Sequence, residues 1–234
     1  MIINLVNFSH AALAFMIAFS AFFTAPLVLE KKVAQFFYVN ERRVALTFNA
    51  AFGADDTDIL LEILRKNDVF ATFFFCETWV DRYPEDLQKF AAAGHEIANH
   101  GNTHDHVARF SLGQKAGGIL ECRDKIKALT GIETTLYRPA YGECDNNVIS
   151  EAEALNHLMV LWDVDSMDWL GRGIDIENIL NSVKNDSIIM FHNGAEFTPR
   201  ALDAIIKGLK EKGYEIVPVS RLIENSQDKI TAKC

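Results

Sequence analysis

From residue 44 onward the chain alternates short apolar runs with amphipathic stretches, and this alternation limits the folds open to it. Strand-like runs occur at Val44–Asn49, Phe70–Phe75, Glu96–Ala98, Thr135–Arg138, Leu158–Trp162, Ser187–Phe191 and Tyr214–Val217. Helical periodicity fills most of the gaps. In Asp55–Lys66, the apolar residues Ile59, Leu60, Ile63 and Leu64 recur on one helical face. Leu112–Leu129 and Pro199–Glu211 repeat the pattern. Gly94, Gly131 and Gly213 each stand just past a predicted helix, where a left-handed residue ends the last turn. Strands separated by helices must be joined by crossovers, so the sheet is mostly parallel and the class is α/β. Seven such units fit an open sheet or a closed barrel, and periodicity does not choose between them.

The 234 residues suit one core. Four segments are expected: 1–32 as an anchor or signal segment, 33–43 as a connector, 44–225 as the α/β domain and 226–234 as a polar tail. Ala11–Leu29 reads AALAFMIAFSAFFTAPLVL, with no Asp, Glu, Lys or Arg before Glu30. Such a run is long enough to cross a bilayer as a helix, and a signal peptide is the rival reading. The expected location is membrane-anchored with an extracytoplasmic domain. Lys31, Lys32, Arg42 and Arg43 follow the segment, however, and the positive-inside rule would hold that side in the cytoplasm. A net charge of −9 argues against a nucleic-acid partner. Cys76, Cys122, Cys144 and Cys234 form no CxxC pair, so a thiolate zinc site is not expected and free thiols are. No feature sets an oligomeric state.

The segment GHEIANHGNTHDH packs four histidines into residues 95–106. His100 and His104 are four apart, so a helical turn would put both on one face, where two imidazoles can share a divalent cation. They follow a short strand, and α/β folds gather their sites at the C-terminal ends of strands. His95 and His106 read as packing or solvent-facing residues. Trp79, Trp162 and Trp169 read as core residues first, with Trp169 the best candidate to face a sugar.

Several motifs occur in one order. VALTFNAAFGADDT precedes ATFFFCETWV and then GHEIANHGNTHDH; RPAYG follows at Arg138–Gly142, WDVDSMDW at Trp162–Trp169 and SIIMFHN at Ser187–Asn193. The series resembles the polysaccharide deacetylases with a NodB homology domain, carbohydrate esterase family 4, and its AAFG looks like the sporulation-type and clostridial branch. The resemblance implies a distorted (β/α)7 barrel, here preceded by the N-terminal apolar helix. It implies a hydrolase that removes N-acetyl groups from amino-sugar polymers, peptidoglycan or chitin-like. It assigns His100 and His104 to a divalent metal, with zinc expected and cobalt an alternative. It makes His192 the acid that protonates the leaving amine, supported by Asp168 and Trp169, and makes Arg138 the residue that orients the base. Tyr141 and Pro139 of RPAYG join Trp169 as substrate-binding candidates. The chemistry fits these residue types. A divalent metal polarises a carbonyl and lowers the pKa of a bound water. A carboxylate completes deprotonation, and an imidazole supplies a proton near neutral pH.

The family's first motif usually reads TFDD, its first aspartate the base and its second a metal ligand. This chain has Asn49 and Ala50 there. Asp55 or Asp56 is the candidate replacement ligand. Asn49 cannot accept a proton near neutral pH. Either Asp55, Asp56 or Asp165 takes over as base, or activity is low, or the domain binds glycan without cleaving it.

Overall fold

The structure, a computed structural model, describes residues 33–34 and 42–224. The apolar segment Ala11–Leu29 and the tail from residue 226 lie outside the described residues. Among the described residues, no helix is long and apolar enough to cross a membrane.

The strands are β1 (Val33–Ala34), β2 (Arg43–Ala50), β3 (Thr72–Phe75), β4 (Glu96–Asn99), β5 (Leu136–Tyr137), β6 (Leu158–Val160), β7 (Val164–Asp165), β8 (Ile188–His192) and β9 (Glu215–Ile216). The helices are α1 (Thr57–Lys66), α2 (Glu77–Arg82), α3 (Pro84–Ala92), α4 (Leu112–Thr130), α5 (Asn146–Ala154), α6 (Ile176–Ser182), α7 (Thr198–Glu211) and α8 (Val219–Ile223). Every strand pairing is parallel, in the order β1-β6-β5-β4-β3-β2-β8-β7, with β9 on the start of β2.

This order forces the sheet to curl. Six pairings separate β6 from β7. On a flat sheet they would stand about 29 Å apart. Yet Leu161–Asp163 alone join them, a link reaching at most about 14 Å. The sheet therefore rolls toward closure, which is the distorted (β/α)7 barrel expected of the chain.

β2 is an interior strand that pairs with β3, β8 and β9, and from Val44 to Ala50 every residue is buried. A strand covered on both faces reads as a near-continuous apolar run, interrupted here by Thr47 and Asn49. Its Phe48 stacks on Phe73 at 4.7 Å and on Phe191 at 5.4 Å, and Phe73 meets Phe90 at 4.2 Å. These four rings join sheet to helix. α4 starts at Ser111, where Ser111 and Gln114 form a capping box, and stops at Gly131 with φ +74°. Gly94 and Gly213 also have positive φ, as their places past helices predicted.

Three expectations need correction. The connector 33–43 contains β1, which pairs with β6, and the motif WDVDSMDW contains β7, where no strand-like run was expected. Two-residue strands are too short to show a period of two. Residues 100–106 form bends rather than a helical turn. Gly101 sits at φ +84° and its N–H bonds to the Asn99 side chain at 2.8 Å, so the chain leaves β4 without entering a helix. Finally, Cys76 and Cys122 are free and buried, but Cys144 is disulfide-bonded, so free thiols hold for only part of the set.

Phe73 is wholly buried at the centre of the ring stack. Phe73→Ala is expected to lower stability by about 3–5 kcal/mol. Urea unfolding followed by circular dichroism measures it, and a loss below about 1 kcal/mol would deny Phe73 its central place.

Candidate active site

The parallel strands bring the motif residues to one edge of the sheet. Asn49 lies in register with His192 across β2 and β8. Arg138 follows β5 and is wholly buried. Its Nη1 donates to Thr47 Oγ1 and Asn49 Oδ1, each at 2.9 Å. Its Nε and Nη2 donate to the carbonyls of Val160 and Leu161, each at 3.2 Å. The guanidinium also lies 4.0 Å from the Phe74 ring centre. Burial lowers its pKa to about 9, which leaves it a cation at neutral pH. Asn49 Nδ2 points to Met190 Sδ at 3.4 Å.

The carbonyl of Arg138 accepts from His100 Nδ1 at 2.6 Å. That bond places the ring proton on Nδ1 and leaves Nε2 as a lone-pair donor. His100 Nε2 is buried without a hydrogen-bond partner, and so is His104 Nδ1. The two ring centres are 5.3 Å apart. Burial is the main cause that lowers both histidine pKa values, which keeps the rings neutral. Two neutral imidazoles with unpaired buried nitrogens, side by side, suit a divalent cation. The carboxylate that would complete such a site is not beside them. Among the described residues, no three His, Cys, Asp or Glu side chains are grouped to hold a metal. Asp55 is exposed. Asp56 is buried and turned to another partner: its Oδ1 accepts from Asn193 Nδ2 and from Gly194 N–H at 2.8 Å, while Oδ2 is unpartnered.

His192 and Asp168 form a tight pair. Asp168 Oδ1 meets His192 Nδ1 at 2.7 Å, and Asp168 Oδ2 accepts the His192 backbone N–H at 2.7 Å and the Thr198 hydroxyl at 2.6 Å. The Asp168 side chain is fully buried. The carboxylate thus aims the ring and leaves Nε2 for a substrate. Backbone packing fixes the loop after His192. Gly194 has φ +82°, and a Cβ there would stand 2.8 Å from the backbone of Gly53.

A cleft of about 440 Å³ runs across this edge, lined by Asn49, Phe52, His104, Tyr141, Trp162, Asp165, Trp169, Met190 and His192. Phe52, Tyr141 and Trp169 are large exposed rings, 54–62% accessible. Pro139 is buried and stands outside this lining; His95 packs against Phe73 and Phe90. Of the three carboxylates considered as a replacement base, Asp165 is the one that lines the cleft, and its Oδ1 accepts from Met167 N–H at 2.8 Å. Sequence reasoning missed Phe52, Met190 and the cleft-facing role of Trp162. An exposed phenylalanine directly after the first motif was the available signal for Phe52; Met190 carried none, since it reads as one more apolar strand residue.

Burial raises the Asp56 carboxyl from 3.8 to about 6. The folded state binds this proton more tightly than the unfolded state. The associated stability is therefore complete below about pH 3.8 and is lost as pH rises through about 6. Asp56→Asn keeps an oxygen for Asn193 and Gly194 but carries no charge. In metal-free protein the native chain is expected to lose on the order of 2 kcal/mol between pH 4 and pH 7 relative to this variant. Denaturant curves at both pH values test it, and parallel pH dependence in the two proteins would refute it.

The polysaccharide deacetylase family model matches residues 38–160. The chain is 32% identical over 187 residues to the peptidoglycan-N-acetylmuramic acid deacetylase PdaC of Bacillus subtilis, covering 79% of this chain and 39% of that protein. It is 30% identical over 196 residues to a peptidoglycan-N-acetylglucosamine deacetylase of Bacillus cereus, covering 81% and 71%. The chain thus spans well under half of PdaC but most of the Bacillus cereus protein. Among solved structures, a CE4 family pseudoenzyme from Bacillus anthracis matches with a TM-score of 0.76 at 28% identity, over 81% of this chain and 69% of that one. A mutant of that pseudoenzyme, described as having restored enzymatic activity, also matches at a TM-score of 0.76 and 28% identity, over 81% and 71%. Fold, motif residues and relatives agree, and this chain belongs to the polysaccharide deacetylase family.

Proposed function

We propose that this chain is a divalent-metal-dependent N-deacetylase of cell-wall amino-sugar polymers, slowed by an amide in the position of its base. The observation that carries the reading is one cleft edge holding two unpaired imidazole nitrogens, at His100 and His104, with the aimed His192–Asp168 pair on the same edge. The reaction is hydrolysis of an acetamide. The C–N bond breaks, a water oxygen bonds to the acetyl carbon, and acetate and a free amine leave. A divalent cation on His100 and His104, zinc or cobalt, would supply Lewis acidity toward the acetyl oxygen and the water. His192, held by Asp168, gives its Nε2 proton to the departing nitrogen. The proton shed by the attacking water passes through solvent to restore the imidazole, so the step balances without a carboxylate base. The exposed rings of Phe52, Tyr141 and Trp169 offer apolar faces to pyranose rings. Asn49 orients water through its amide but cannot take a proton. The substrate lies outside the cytoplasm in this reading, with Ala11–Leu29 as anchor or signal.

A second reading, a glycan-binding domain without turnover, is favoured by Asn49 itself and by the likeness to a CE4 family pseudoenzyme. Acetate release from N-acetylglucosamine oligomers and from peptidoglycan, with added zinc or cobalt, separates the two. The native chain is expected to turn over slowly, and Asn49→Asp to raise the rate about 10²–10⁴-fold. Activity only in the variant would establish the second reading. No activity in either protein under any metal would sink the hydrolytic assignment.

A further inference from the structure

His100 and His104 are oriented by different means. His100 has a hydrogen bond on the nitrogen opposite its free one. Histidines that bind metal nearly always have such a partner, and it fixes both ring angle and tautomer. His104 Nδ1 is buried and has no hydrogen-bond partner among the described residues. Its ring is held by neighbouring rings instead. Tyr141 meets it edge-on at 4.7 Å and 66°, Phe52 lies at 5.2 Å, and the Tyr141 hydroxyl donates to the His104 carbonyl at 3.3 Å.

Tyr141 is itself held in an uncommon place. Its backbone lies at φ +58°, a left-handed conformation that a bulky residue adopts only when its surroundings impose it. Its ring stacks flat on His106, with centres 4.2 Å apart and planes within 17°. His106 Nδ1 in turn meets Glu143 Oε1 at 2.5 Å, and Glu143 Oε2 accepts the Ala108 N–H at 2.9 Å. The loop carrying His104 and the loop carrying Tyr141 are therefore tied twice, once at His104 and once through His106 and Glu143. No part of the hydrolytic mechanism uses this second tie.

We propose that Glu143 and His106 are positioning residues that clamp Tyr141 against His104 and so set the angle of the second metal-binding imidazole. The inference rests on the metal reading above. Neither residue touches the reacting atoms. Both are partly open to solvent, 40% for the His106 side chain and 27% for Glu143, so their removal leaves the core intact.

The test is zinc affinity of the full chain, by competition with a chromogenic chelator, supported by the visible absorption of the cobalt-loaded protein. His106→Ala and Glu143→Ala are each expected to weaken zinc binding about tenfold and to alter the cobalt spectrum, with the thermal midpoint of metal-free protein unchanged. His106→Phe, which keeps a ring under Tyr141, is expected to recover most of the affinity. Zinc affinities of both alanine variants within about twofold of the native chain, while His104→Ala loses zinc, would overturn the clamp alone. If His104→Ala binds zinc as well as the native chain does, the metal pair itself is wrong and the clamp falls with it.

Discussion

The fully buried guanidinium of Arg138 is the interaction on which the site depends. Moving a cation out of water is expensive unless nearly every donor finds an acceptor. Arg138 finds four, on Thr47, Asn49, Val160 and Leu161, and a ring face on Phe74. Those acceptors belong to β2 and to the end of β6, and the arginine itself follows β5. Its own carbonyl then fixes His100. One side chain thus holds three strand ends and, through its backbone, one imidazole. A lysine has three donors on a single atom and cannot span acceptors placed this way.

All four acceptors are neutral. An aspartate in place of Asn49 would give the guanidinium a charged partner in the same hydrogen bond. Asn49 offers the guanidinium the hydrogen bond, at 2.9 Å, but no charge. On the proposed reading, the scaffold that would steer a base is intact around a group that cannot act as one.

Much of this was legible in the chain. Strand and helix periodicity gave the parallel sheet, because residues buried on both faces leave unbroken apolar runs such as Ile188–Phe191. The ordered motifs gave His100, His104, Arg138, Asp168 and His192. Other features were not legible, for local reasons. β1 and β7 are two residues each, and their pairing depends on how the sheet curls rather than on their own pattern. His100 and His104 do come together, but through a bend opened by Gly101, where spacing alone suggested a helix. Tyr141 was visible as part of RPAYG, yet its support by His106 and Glu143 joins segments far apart in sequence. Cys144 gave no local sign of its bond.

The near-closed ring of strands has one consequence for how the cleft behaves. β1 and β7 are the two ends of the hydrogen-bonded order, and the strip Leu161–Asp163 crosses between β6 and β7. The crossing is tied at both ends. The Leu161 carbonyl accepts from Arg138, the Asp163 N–H donates to the Ile188 carbonyl, and the Asp163 carboxylate accepts from Ser187 Oγ and the Ile188 N–H. Trp162, a wall of the cleft, sits between these ties, its ring centre 5.4 Å from the Arg138 guanidinium. Swinging that wall outward would strip the buried cation of one of its acceptors. The width of the groove is therefore preset by the same arginine that holds the opposite wall at Asn49.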